Sequence, residues 1–306
     1  MINFVSVFVL IGGTFLLSNT NIGGTSGIGE GIARYLAIEE GANVVFCGRR
    51  VEKGQTVEQE INSSCKEKEG EGGGGGEACF VQADVLTLAD IERVFQEAET
   101  KYGGVDIVIP NAGFEGNPTS KVMTEGFMEN YRLVMDINLE SLIHTCRVGV
   151  PYLENRGTTA GGYCFVNSSL FSVIGAPGWA AYAMSKGACD ALVRCLAVEL
   201  AEQNIKVYSF NPYTIDSELS RRVLGMSGIS IEDWAAQHNP SGKVGTGQQI
   251  GKLLADIVRG KYVDEYPSGS NLLTDGNVLF HAQEATKLAR IWGTPEFKDL
   301  VTKHTI

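Results

Sequence analysis

Tyr182 and Lys186 stand four residues apart in YAMSK, at the opening of a stretch whose apolar spacing predicts a helix over 180–203. At that spacing two side chains project from one helix face. A free tyrosine hydroxyl titrates at about 10 and is a poor base at neutral pH. A lysine cation beside it stabilises the phenolate and moves its titration toward working pH, which suits the pair to general acid/base work. Ser169 lies thirteen residues before the tyrosine, just after the strand-like YCFVN and its loop. Asn138, in MDINLES, falls in the helix before that strand.

A second constellation lies near the N-terminus, in IGGTSGIG over 22–29. Gly23, Gly27 and Gly29 form a G-x-x-x-G-x-G array, with Thr25, Ser26 and Ile28 between them, and lead into an amphipathic helix. Glycines there let backbone approach a pyrophosphate, and the helix N-terminus supplies free N–H groups and a favourable dipole. A β-rich run follows about twenty residues on, as a nucleotide-binding βαβ unit requires. At its end, where an acid would bind a ribose 2′-hydroxyl, the chain has Gly48, then Arg49 and Arg50. No carboxylate repels a 2′-phosphate there, and a guanidinium can bind one bidentately. NADP is the expected cofactor. If the arginines only open a solvated helix, NAD remains the alternative.

These groups need a scaffold that brings both halves of the chain together. Strand-like runs at Asn43–Cys47, Ala78–Gln82, Asp106–Pro110, Tyr163–Asn167, Lys206–Phe210 and Asn271–Thr274 alternate with helix-like runs at 27–40, 51–66, 88–102, 125–153, 180–203 and 246–259. The alternation predicts one α/β domain over 1–306: a doubly wound, Rossmann-type parallel sheet with helices on both faces. Residues 67–77, EKEGEGGGGGE, read as a flexible surface loop, and 155–162 as a lengthened connection. Residues 277–306 form a C-terminal extension.

Composition narrows the partners. With 43% hydrophobic and 20% charged residues, the chain can bury a full core. A net charge of -11 argues against a general grip on nucleic acid and against electrostatic docking to an anionic membrane. Seven scattered cysteines without a CxxC, and four dispersed histidines, give no metal-ligand spacing. They read as buried reduced thiols, so a cytoplasmic location is expected.

Together these motifs resemble the short-chain dehydrogenase/reductase family over roughly residues 22–276. The resemblance rests on IGGTSGIG, Asp84 in ADV, Asn111-Ala112-Gly113, Asn138, Ser169, YAMSK and Asn211-Pro212. It implies an NADP-dependent oxidoreductase acting on a small carbonyl or alcohol. Tyr182 would exchange a proton with the substrate oxygen; Lys186 would lower its pKa and hold the nicotinamide ribose. Ser169 would hydrogen-bond the substrate, and Asn138 would position a proton-relay water. The cofactor would lie along the glycine loop, Arg49, Arg50, Asp84, Val85, 111–113, Pro212, Ile215 and Ser217. Asp84 would meet the adenine and Asn111 would steady the central strand. Ile22, Pro110 and Tyr213 depart from the family's usual Thr, Asn and Gly. A catalytically silent nucleotide-binding or regulatory relative is the alternative, and an unrelated Rossmann binder a more distant one.

The family sets its substrate through the segment after the sixth strand, here 213–245, whose Leu219, Val223, Leu224 and Trp234 suit either a lid over a mid-sized carbonyl or simple packing on the core. A homodimer or homotetramer is expected through Leu139, Leu142, Ile143, Leu192 and Leu196. At the N-terminus, Ser18-Asn19-Thr20-Asn21 make a poor lead into the glycine loop, whereas Val5–Ile11 make a good strand. I-G-G-T occurs at both 11–14 and 22–25. Val5–Ile11 is therefore the expected central strand and 12–22 an insertion. The alternative places a short strand at Thr14–Leu17 and leaves 1–11 as an apolar anchor or edge element.

Overall fold

Runs of Val, Ile and Phe too short for helices assemble into one eight-stranded sheet. The computed structural model describes residues 7–11, 25–70, 75–154, 161–284 and 294–306. Its strands are β1 (Val7–Ile11), β2 (Asn43–Gly48), β3 (Ala78–Gln82), β4 (Ile107–Pro110), β5 (Tyr163–Asn167), β6 (Lys206–Pro212), β7 (Asn271–Thr274) and β8 (Leu279–His281). Their order is β3-β2-β1-β4-β5-β6-β7-β8. All neighbours pair in parallel except β8, which runs antiparallel to β7.

The expected first strand is present, over Val7–Ile11. Val9 is fully buried and registers with Val45 on one side and Val108 on the other. The proposed insertion, 12–22, lies outside the described residues, as do Gly23 and Thr14–Leu17. Because β1 pairs with β2 on one side and β4 on the other, the crossovers part there and open a crevice at the strands' carboxyl ends.

Helices cover both faces. On one, Val44 and Phe46 of β2 belong to one buried cluster with Ile32 of α1 (Gly27–Arg34), Val57 and Ile61 of α2 (Val51–Gly70) and Leu253 of α9 (Gly247–Val258). On the other, Val45 and Cys47 belong to one buried cluster with Val94 of α3 (Leu88–Tyr102), Cys146 of α5 (Ser141–Glu154) and Val193 of α6 (Ala180–Glu199). The expected helix over 125–153 appears as α4 (Phe127–Met135), a π-helical turn at Asp136–Glu140, and α5.

Two expectations change. The loop expected over 67–77 begins later, because α2 continues to Gly70 and Lys68 pairs with Glu39. Gly76 is held by a hydrogen bond to the Ala37 carbonyl, 3.0 Å. Beyond β6, 213–245 contains α7 (Glu218–Gly225) and α8 (Ile231–His238), which sequence periodicity had not separated. The C-terminal extension folds back: β8 pairs with β7, and Phe297 of α10 (Pro295–Lys303) joins Leu273, Val278 and Phe280 in a small core onto which Leu300, Val301, Leu170 and Ile174 pack. No helix among the described residues is long and apolar enough to cross a membrane.

Candidate active site

A cavity of about 770 Å³ opens at the carboxyl ends of the strands, and Ser169, Tyr182 and Lys186 line it together. Each is placed by a different local device. Ser169 follows β5 and caps a short 3₁₀ turn, its hydroxyl accepting from the Phe171 amide at 3.2 Å. Tyr182 and Lys186 share one face in the first turns of α6. The Ser169 hydroxyl lowers the titration of the Tyr182 hydroxyl, and the Lys186 ammonium lies 5.7 Å from the centre of the tyrosine ring.

The electrostatics depart from the simple expectation. Burial pushes the Tyr182 hydroxyl up to about 12, and the bond from Ser169 offsets this only in part. Lys186, only 2% exposed, is itself pushed down by burial, against the raising influence of Cys189 and Asp190. One of its three N–H groups donates to the Asn167 carbonyl at 2.8 Å. Desolvation is therefore the dominant influence on the tyrosine.

Asn138 sits in the π-turn, 2% exposed. Its side-chain oxygen accepts from the Phe114 amide at 2.7 Å. Its nitrogen donates to the Phe114 carbonyl and to Ser185 Oγ, both at 2.9 Å. The side chain is thus a tie between the segment after β4 and α6. Both side-chain N–H groups are spent, which leaves the second lone pair of Oδ1 and the backbone carbonyl, already accepting a weak bond from Cys189 Sγ at 3.4 Å, as acceptors. Asn111 lines the cavity and accepts from Asn167 Nδ2 at 2.8 Å, linking the ends of β4 and β5.

Behind Ser169 lies a buried polar chain that sequence reasoning missed. Asn211 Nδ2 reaches the Ser169 carbonyl at 3.2 Å, Ser172 Oγ at 2.9 Å and Asp190 Oδ2 at 2.8 Å. Ser209 Oγ donates to Asp190 Oδ1 at 2.9 Å, and Asn271 Nδ2 donates to Ser209 Oγ at 2.7 Å. Polar residues in the otherwise apolar strands β6 and β7 were the available signal.

At the nucleotide end, Ser26, Ile28, Gly29, Gly113, Pro212, Ile215 and Ser217 line the cavity. Gly27 has φ +59°, and a Cβ there would sit 2.8 Å from that of Ser217, so the site demands glycine. Ser217 caps α7 by accepting from the Ser220 amide at 3.1 Å, so its hydroxyl is already engaged. The side chains of Val85 and Ala112 pack in the core. Arg49 faces Asp84 at 3.7 Å. Arg50 instead spans the loop: its Nη2 donates to Thr25 Oγ1 at 3.2 Å and Ser26 Oγ at 3.0 Å, and its Nη1 lies 3.4 Å from Glu218. Lys53 also pairs with Glu218, adding a cation that the sequence reading did not include. A cradle of close-approach glycines beside paired cations fits a phosphate-bearing dinucleotide.

Comparison with known proteins bears on the family of the chain. A family model described as enoyl-(acyl carrier protein) reductase matches residues 23–276. The chain is 32% identical over 215 residues to a 3beta-hydroxysteroid dehydrogenase of Mediterraneibacter gnavus, covering 70% of this chain and 72% of that protein. It is 28% identical over 257 residues to the 3-oxoacyl-[acyl-carrier-protein] reductase FabG of Chlamydia muridarum, covering 84% and 94%. Among solved structures it is similar to a 7alpha-hydroxysteroid dehydrogenase complexed with NADH and 7-oxo glycochenodeoxycholic acid. That match has a TM-score of 0.71 and 25% identity, and covers 89% of this chain and 93% of the other.

Proposed function

Since the chain belongs to the short-chain dehydrogenase/reductase family, oxidoreductases that use NAD(P) on CH–OH and C=O groups, we propose that it is an NADP-dependent member in which Tyr182 is the acid/base. The observation that carries the reading is the meeting of Ser169, Tyr182 and Lys186 in one cavity that extends to the glycine loop. Bound cofactor supplies or accepts the hydride. The chain's own residues handle the proton and the orientation. Ser169 and Tyr182 hold the substrate oxygen, and the neutral tyrosine gives it a proton during reduction. Lys186, with donors left beyond its bond to Asn167, holds the ribose hydroxyls. The Asn211–Asp190–Ser209 chain fixes the backbone that carries Ser169.

NADP is preferred over NAD in this reading because Arg49, Arg50 and Lys53 gather at the end of β2 and the start of α2, where Gly48 replaces an acid. A homodimer or homotetramer is part of the same proposal. Its surface is narrower than the sequence suggested, because Leu142 is 3% exposed and belongs to the core. Leu139, Leu192 and Leu196 pack partly onto that core, while Ile143 remains exposed. The test is consumption of reduced nicotinamide with a carbonyl panel, run with NADPH and with NADH. Turnover that prefers NADPH supports the reading. Binding of NADPH without turnover of any carbonyl would point to the silent-relative alternative.

A further inference from the structure

The cavity carries information about its occupant that the motifs do not. Phe171 and Trp179 stack with ring centres 4.6 Å apart, and both present themselves edge-on to the Tyr182 ring, at 5.9 and 5.6 Å. From α8, Trp234 stacks on His238 at 3.8 Å and lines the same space. Leu219 and Val223 of α7 line it as well. The described wall of the cavity is therefore rich in aromatic and aliphatic side chains, with Phe171 and Trp179 beside the proton-transfer group.

The charges are as informative as the rings. Among the described residues lining the cavity, Lys186 is the only lysine or arginine, and no aspartate or glutamate takes part. The two arginines of α7 are already paired: Arg221 with Asp216 at 2.7 Å, and Arg222 with the buried Glu115. An anionic substrate would meet no free cation from α7. A flexible acyl chain would also lose rotamer freedom on entry, whereas a rigid ring offers large contact area at little entropic cost.

We propose that this cavity selects a neutral, rigid, ring-bearing ketone, or the matching secondary alcohol, with Phe171, Trp179 and Trp234 as its specificity-determining residues. The proposal rests on the oxidoreductase reading above. It sets this chain apart from enzymes of the same family that take thioester-bound acyl groups.

The experiment compares three probes with the full-length protein and NADPH: β-tetralone, a neutral bicyclic ketone; octan-2-one, neutral and flexible; and acetoacetyl-CoA, an anionic thioester. The expected kcat/KM for β-tetralone exceeds each of the others by about tenfold or more. Trp179→Leu and Trp234→Leu should each lower the ratio of β-tetralone to octan-2-one kcat/KM by about threefold or more. NADPH affinity, measured alongside, reports that each variant is folded. Equal or better turnover of octan-2-one or acetoacetyl-CoA overturns the ring-ketone assignment and leaves the oxidoreductase reading standing. So does a ratio unchanged in both variants. Failure to reduce any of the three with either NADPH or NADH overturns both.

Discussion

Tyr182 shows how one side chain can set the direction in which a site works most readily. Its hydroxyl, raised to about 12 by burial, stays protonated through neutral pH, so the acid needed for carbonyl reduction is in place without a prior ionisation. Alcohol oxidation needs the phenolate instead. The expected pH profile of kcat/KM is flat for reduction from neutral into the mildly alkaline range, and rising with pH for oxidation. A reduction profile that falls near neutral pH would contradict the assignment. Tyr182→Phe should lower kcat by about 10²–10⁴-fold while NADPH binding, followed by fluorescence titration, persists. The arginines are also separable at this scale. Arg49 faces Asp84, whereas Arg50 ties the glycine loop through Thr25 and Ser26. Arg50→Ala should weaken NADPH binding by about 1–3 kcal/mol and NADH binding less. Equal losses for both cofactors would mean that Arg50 only supports the loop.

At the scale of elements, α7 is fastened at its first residue and again near its middle. Its first residue, Glu218, pairs with Arg50 and Lys53, and Arg222 pairs with Glu115. A cofactor phosphate and the Glu218 carboxylate would compete for the same two cations. Exposed pairs of this kind contribute about 0.2–1 kcal/mol, so Glu218→Gln should tighten NADPH binding by up to about fivefold and change NADH binding little. Unchanged NADPH affinity would show that the carboxylate does not compete. The helix that opens with the glycine loop is placed by a different contact. A Cβ on Gly31 would lie 2.5 Å from the Gly247 Cα, so α1 and α9 cross almost backbone to backbone. Gly31→Ala should destabilise the fold by about 1–3 kcal/mol through overpacking, measurable as a lowered midpoint in urea. An undiminished midpoint would mean that the crossing relaxes freely.

For the whole molecule, light scattering at micromolar concentration should give a dimer or tetramer mass; a monomer would remove the assembly proposal. Much of the architecture was legible because it depends on local pattern. Short Val/Ile/Phe runs alternating with amphipathic stretches specify strands and helices, and burial on both sheet faces follows from runs such as NVVFC without polar alternation. Even the displaced first strand could be read, since Val7–Ile11 has the β-branched and aromatic composition that Ser18–Asn21 lacks. The motif spacing likewise brought Ser169, Tyr182 and Lys186 to one cavity. What spacing could not show was anything that depends on distance through space or on solvent. The balance at Tyr182 is set mainly by how much water the fold removes. Asn138 is spent on Phe114 and Ser185, an arrangement that needs three separate segments to meet. The continuation of α2 through Gly70, the Glu218 contacts and the aromatic wall all join residues far apart in the chain or override a local preference for turns. Local pattern is enough to specify the class of fold and the chemical groups; their protonation, their partners and the shape they enclose come from tertiary packing, because desolvation and contact are properties of the assembled core.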